Sequence, residues 1–283
     1  MSGWMFLLLA ILSSAAMTLV LKAFKTEGTN RYAIILGNYI TCVIVGFFLL
    51  PDRSVILQAR SLTLLCGVIG GALFVLSLVL MQLSIGTNGA ILTAAFSRLG
   101  LVVPLLVSIF LFAENPAPLQ IIGLVLVLVA MWVINGKDES SKTVRPLLLI
   151  FVLLGGGLSD TMAKIFSYYG NQAQDSLYIF IVFLTATIVT TGLLLLEGKK
   201  TGRFGTWKDY LAGIAVGIPN YFSASFLLKS LNQIPAYIAY TVFSTGVLLL
   251  ITILSMILFR EKPGKRQMAG LGIIIISLVL LNI

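Results

Sequence analysis

The sequence contains no histidine, only two cysteines and little charge: 10% of its 283 residues are Asp, Glu, Lys or Arg. Each shortage removes a class of function. Without histidine there is no Ser-His-Asp triad and no HExxH zinc site, which excludes the common serine and metalloprotease chemistries. No GxxxxGK[ST] string occurs, so the phosphate-cradling loop of ATP hydrolysis is missing as well. Cys42 and Cys66 fall in apolar runs and read as small buried hydrophobes. A soluble domain has roughly a quarter of its residues charged. At 59% hydrophobic, this chain cannot cover a water-facing surface, and soluble enzymes and DNA-binding modules are excluded.

What the chain does have is long apolar runs. They cover approximately residues 3 to 22, 32 to 50, 62 to 83, 89 to 112, 118 to 134, 146 to 168, 177 to 196, 209 to 229, 236 to 259 and 267 to 282. A crossing helix needs about 20 mostly apolar residues, so ten of them use roughly 200 and leave about 80 for every connection. No folded extramembrane domain fits. The runs are continuous rather than alternating, which predicts helices and not barrel strands. The first lacks a basic leader and is read as helix one, not as a cleaved signal. Turn chemistry separates the runs at Ile85-Gly86-Thr87-Asn88, Asn115-Pro116-Ala117-Pro118 and Lys262-Pro263-Gly264.

An internal repeat divides the chain. Residues 91 to 134 align without a gap on residues 238 to 281, with 12 identities in 44 positions. The informative matches are Phe96 with Phe243, Ser97 with Ser244, Glu114 with Glu261, Pro116 with Pro263, Gln120 with Gln267 and Gly123 with Gly270. Lys22 falls opposite Lys164 in the first helices of the two halves. The expected organisation is a five-helix repeat over residues 1–136, a polar linker over 137–145 and a second five-helix repeat over 146–283. Of 15 cations outside the spans, 13 follow odd-numbered helices, and only Arg53 and Arg60 lie on the other side. Lys and Arg collect in cytoplasmic loops, so both termini are expected to be extracytoplasmic. Because each half has an odd number of spans, the halves should be inverted. The net charge of +9 reads as a basic face toward anionic lipid, not toward nucleic acid.

Two strings end the two halves in the same way: Phe112-Ala113-Glu114-Asn115-Pro116 before Gln120-Ile121-Ile122-Gly123, and Phe259-Arg260-Glu261-Lys262-Pro263 before Gln267-Met268-Ala269-Gly270. With ten spans in two halves, this resembles the EamA-type members of the drug/metabolite transporter superfamily over essentially the whole chain. The resemblance implies an all-α membrane protein of ten transmembrane helices, built as two inverted five-helix repeats around a central cavity. It further implies a secondary carrier of small metabolites working by alternating access. Small multidrug resistance relatives keep a Glu in helix one. Here that helix carries Ser13, Ser14 and Thr18 but no acid, a departure that argues against proton-coupled export of lipophilic cations by that route.

Charge inside a span costs at least about 2.5–3.5 kcal/mol and normally faces a cavity or a partner. Arg98, about two turns into the fourth span with no acid at i±3 or i±4, is the leading candidate for binding an anionic group. Asp160 and Lys164 share a helix face and can pair. As the acid placed well inside a span, Asp160 is the candidate for proton coupling, with Lys164 and Lys22 as ion-pair candidates. Snorkelling to the interface is the default for Lys22, Lys164 and Lys229. Asn38, Tyr39, Gln82, Asn220, Tyr221, Tyr237 and Tyr240 are the polar and aromatic residues placed to line a site. Four cations against one acid favour an anionic or zwitterionic solute, such as an amino acid or organic acid. Tyr237 and Tyr240 could instead hold a quaternary ammonium or lipophilic cation, and a lipid-modifying enzyme using Asp160, Lys164 and Arg98 is the alternative of another class. Glu114 and Glu261, beside turns, read as turn or cap residues. The expected partners are a small-molecule substrate and membrane lipid, with no cofactor, no metal and no nucleic acid. The expected setting is the plasma membrane, as a multi-pass monomer or homodimer.

Overall fold

The computed structural model describes residues 2–23, 30–50, 53–88, 93, 96, 97, 99–134, 145–258 and 265–281. Among them are ten α-helices: α1 (Gly3–Ala23), α2 (Arg31–Phe48), α3 (Ser61–Asn88), α4 (Val102–Leu111), α5 (Pro118–Ile134), α6 (Pro146–Tyr169), α7 (Asp175–Thr201), α8 (Trp207–Leu231), α9 (Ala236–Leu258) and α10 (Lys265–Leu281). No strand occurs among the described residues. Seven helices, α1 to α3 and α6 to α9, are long and apolar enough to cross a membrane, and α4, α5 and α10 contain shorter apolar stretches.

Two helices outrun their hydrophobic stretches. α3 continues through Ile85-Gly86-Thr87-Asn88, a stretch the sequence reads as a break. Its polar end is satisfied locally, with Thr87 Oγ1 donating to the Leu83 carbonyl at 3.2 Å and Asn88 Nδ2 to Ser84 Oγ at 3.0 Å. α7 gains a polar last turn with Lys199 and Lys200, which suit the negative end of the helix dipole, and stops at Gly202 in the left-handed region at φ 69°. Hydropathy locates the membrane-facing part of a helix but not its capped ends. Gly70-Gly71, Gly155-Gly156-Gly157 and Pro219 all lie inside continuous helices.

The chain forms two compact units, Met1–Val75 with Ile165–Gln233 and Leu76–Lys164 with Ile234–Ile283. Each takes segments from both halves of the sequence. In the first unit α8 packs on α1 and α2, and α2 also packs on α7. Asn30 starts α2 by accepting from the Tyr32 and Ala33 amides at 3.0 and 3.3 Å. The Thr206 amide donates to Asp209 Oδ2 at 2.7 Å at the start of α8. In the second unit α5 packs on α10 and α4 on α9. Large apolar side chains such as Phe110, Leu111, Ile188 and Ile257 are exposed, as helices bathed in lipid require.

Most hydroxyls within these helices bond to a carbonyl one turn back. Thr41 donates to Gly37, Thr161 to Gly157, Thr241 to Tyr237 and Thr245 to Thr241, all at 2.6–2.8 Å. In a medium without water this is the local way to satisfy a hydroxyl. Polar groups that bond between helices are therefore the ones that mark a site.

Candidate functional site

In the first unit such a group lies halfway along α2 and α8. The two backbones approach closely because glycines face each other. A Cβ on Gly213 would stand 2.8 Å from the Asn38 nitrogen and 2.9 Å from Gly37 Cα, and one on Gly217 2.7 Å from the Asn38 carbonyl oxygen. Only glycine permits this separation. It lets Asn220 Nδ2 donate to Asn38 Oδ1 at 3.0 Å, while the Cys42 thiol donates to the Gly217 carbonyl at 3.2 Å and to Asn38 Oδ1 at 3.5 Å. Tyr39 and Tyr221 lie within electrostatic range of Cys42. Their rings flank Phe183, with centroids 6.0 and 6.3 Å away, and Tyr39 also meets Phe74 at 5.8 Å. The Tyr39 hydroxyl is buried, with the residue 1% exposed, and has no hydrogen-bond partner among the described residues. A buried hydroxyl left unpaired costs about 1–3 kcal/mol. The group offers amide, hydroxyl and thiol dipoles and no formal charge.

Further along the first unit, Ser167 Oγ donates to Asn232 Oδ1 at 2.8 Å, and Asn232 Nδ2 donates to Asp175 Oδ2 at 2.7 Å. Lys229 acts electrostatically on Asp175 and lies 5.7 Å over the Phe6 ring. The apolar run begins at residue 177, so sequence reasoning left Asp175 outside the span. α7 begins at this residue.

The second unit is organised by charge. Lys164 Nζ and Glu114 Oε1 are 2.6 Å apart, with side chains 5% and 14% exposed, and the ammonium stands 5.4 Å over the Phe112 ring. Both carboxylate oxygens of Glu114 also accept from the Ala236 amide, at 3.2 and 3.0 Å, which caps α9. Ala113, at φ 51°, turns the chain into this position. Lys164 is therefore buried and does not snorkel, and its ion pair with Glu114 reaches an acid 50 residues away in sequence. Asp160 enters the site through its backbone, where its carbonyl accepts from the Tyr240 hydroxyl at 2.6 Å. Tyr237 donates to Gln120 Oε1 at 3.0 Å. Gln82 lies half-buried on α3 in this same unit.

The sequence-predicted residues therefore fall into two groups, Asn38, Tyr39, Asn220 and Tyr221 in the first unit and Gln82, Asp160, Lys164, Tyr237 and Tyr240 in the second. Arg98 and the side chain of Lys22 lie outside the described residues, as does the turn around Glu261. Cys42 and Gln120 join these groups without standing out in the sequence as site residues, and Glu114, read as a turn or cap residue, also supplies the ion pair. The repeat that matches Glu114 with Glu261 and Lys22 with Lys164 was the available signal for the Glu114–Lys164 pair. Among the described residues no group of three or more His, Cys, Asp or Glu is placed to hold a metal ion.

Comparison with known proteins bears on these two groups. The sequence pattern of the EamA-like transporter family matches residues 146–283. The quaternary ammonium compound-resistance protein QacG of Staphylococcus sp. (strain ST94) is 32% identical over 107 residues, which span 38% of this chain and 92% of QacG. The chain belongs to the EamA-like transporter family. Two further relatives extend the similarity over nearly the whole length. An uncharacterized protein of Haemophilus influenzae is 26% identical over 278 residues, covering 94% of this chain and 93% of its own. The glucose uptake protein GlcU of Staphylococcus xylosus is 26% identical over 285 residues, covering 95% and 94%. A crystal structure with 12% sequence identity matches 98% of this chain and 95% of its own with a TM-score of 0.74, a likeness of fold. As an EamA-like transporter, the chain is an all-α, multi-pass membrane protein of the drug/metabolite transporter superfamily.

Proposed function

We propose that this EamA-like chain is a secondary carrier of a small polar metabolite that works by alternating access in the cell membrane, with both termini extracytoplasmic. The substrate class that the geometry supports best is an uncharged, hydroxyl-bearing solute such as a sugar. The observation that carries this reading is the Asn38–Asn220 amide pair with the unpartnered Tyr39 hydroxyl beside it, held on two helices pressed together by glycines. Amides present both donors and acceptors, as a solute with many hydroxyls requires. The glucose uptake protein among the relatives supports the same class.

The anionic or zwitterionic reading keeps one specific support, Arg98 in an apolar span. The wider charge argument for it has weakened, because Lys164 is paired with Glu114 and Lys229 acts electrostatically on Asp175. A quaternary ammonium has less support: Tyr237 and Tyr240 are buried and their hydroxyls are committed to Gln120 and the Asp160 carbonyl. A lipid-modifying enzyme has less again, since Lys164 is paired with Glu114.

The test is thermal stabilisation of the purified protein by a panel of sugars, amino acids, organic acids and quaternary amines, repeated with Asn220→Ala and Arg98→Ala. The reading expects sugars to raise the melting temperature of wild type and Arg98→Ala but not of Asn220→Ala. Acids whose effect disappears only in Arg98→Ala would move the assignment to the anionic class. Amines whose effect ignores both substitutions would reject the amide site.

A further inference from the structure

The end of α3 and the start of α6, both within the second unit, enclose an open groove of about 570 Å³. Its walls are apolar, with Leu83, Leu147, Leu148 and Phe151, and its one charged lining residue is Arg145. The position of Arg145 is fixed by a clamp. Its amide donates to Asn88 Oδ1 at 2.6 Å and its carbonyl accepts from Asn88 Nδ2 at 3.4 Å, while Asn88 is itself tied to Ser84 and Ser84 to Thr93. The guanidinium is exposed and has no ion pair or hydrogen bond among the described residues.

Depth decides what this groove can hold. Arg145 directly precedes Pro146, where a membrane-crossing helix begins, so its charge lies at the level of lipid headgroups. From there to Phe151 the helix descends about 9 Å at 1.5 Å per residue, and the lining side chains Leu83, Leu147 and Phe151 remain exposed. A cation at phosphate level above a concave apolar slot matches a phospholipid at both ends. A basic residue near the membrane surface gains about 1 kcal/mol from anionic lipid, or about five-fold in affinity.

We propose that this groove binds one anionic phospholipid, with its phosphate at Arg145 and an acyl chain laid along Leu83, Leu147 and Phe151. The site needs no transported solute and is independent of the amide pair. The test is native mass spectrometry of the full chain in detergent with added phosphatidylglycerol or phosphatidylcholine. Wild type is expected to retain one phosphatidylglycerol about five-fold better than phosphatidylcholine. Arg145→Gln is expected to remove the preference with the melting temperature unchanged. Leu83→Trp, which fills the slot from an exposed position, is expected to reduce retention of either lipid. Lys199→Gln with Lys200→Gln, exposed cations that do not line the groove, should leave retention as in wild type. An Arg145→Gln protein that keeps the preference would overturn the proposal. So would displacement of the lipid by soluble glycerol 3-phosphate, because that would make the site one for free phosphate esters.

Discussion

Midway along its helices the first unit is joined by uncharged groups, Asn38, Asn220 and Cys42, whereas the second is joined by the Lys164–Glu114 ion pair. The difference is one of strength against versatility. A neutral amide pair contributes modestly, about 0.5–1.5 kcal/mol, so an incoming solute can replace it at small cost. Removing one member of a buried ion pair leaves a charge without a partner, at about 3–5 kcal/mol, so nothing short of a compensating charge replaces it. Glu114 also caps α9, which ties the pair to the start of a helix. On the proposed reading, the amide group meets the solute and the ion pair holds the frame.

The contrast can be broken most severely at Lys164. Lys164→Ala is expected to destabilise the protein by about 3–5 kcal/mol, seen as a large drop in melting temperature that added salt does not change, because a buried pair is poorly screened. Combining Lys164→Met with Glu114→Gln should recover most of that loss, since no unpaired charge then remains. A combination as unstable as the single variant would show that the ion pair does not set the frame. Next in size, Asn38→Ala or Asn220→Ala should each cost about 1–3 kcal/mol by leaving the other amide unpaired. The two together should cost less than their sum, and strict additivity in denaturation would mean that the amides do not act as a pair. Tyr240→Phe, which strips a donor from the Asp160 carbonyl, should cost about 0.5–1.5 kcal/mol by the same measurement. The smallest effect has the opposite sign. Ala113 sits at φ 51°, a region costing a non-glycine residue about 1–2 kcal/mol. Ala113→Gly should therefore stabilise by about 0.5 kcal/mol after the greater freedom of glycine in the unfolded chain is subtracted.

Several of these features can be read from the sequence and others cannot, for physical reasons. Composition and run length place nine of the ten helices to within about five residues, because burial in lipid is a property of each segment alone; the fourth run, 89 to 112, corresponds to a described helix only over Val102–Leu111. Their ends are harder to place, as the polar turns at Thr87-Asn88 and Lys199-Lys200 show, since capping and helix dipole rather than hydropathy decide them. Asn38 and Asn220 each stand out as polar residues in apolar runs. Their bond does not, because 182 residues separate them and glycine contacts between helices bring them together. Lys164 teaches the same lesson. Spacing along one helix offers Asp160 as a partner, and folding supplies Glu114 from another segment, foreshadowed only by the repeat that matches Glu114 to Glu261. Cys42 reads as a small hydrophobe, yet its thiol bonds across α2 and α8.

The division of labour is tested most directly by equilibrium binding of a labelled hexose to detergent-purified wild type, Asn220→Ala and the Lys164→Met/Glu114→Gln double variant. The account predicts that binding falls at least ten-fold in Asn220→Ala, about the 1.4 kcal/mol expected of a lost hydrogen-bonded contact, and stays within a few-fold of wild type in the double variant. Hexose binding that survives in Asn220→Ala but is lost in a folded double variant would contradict it.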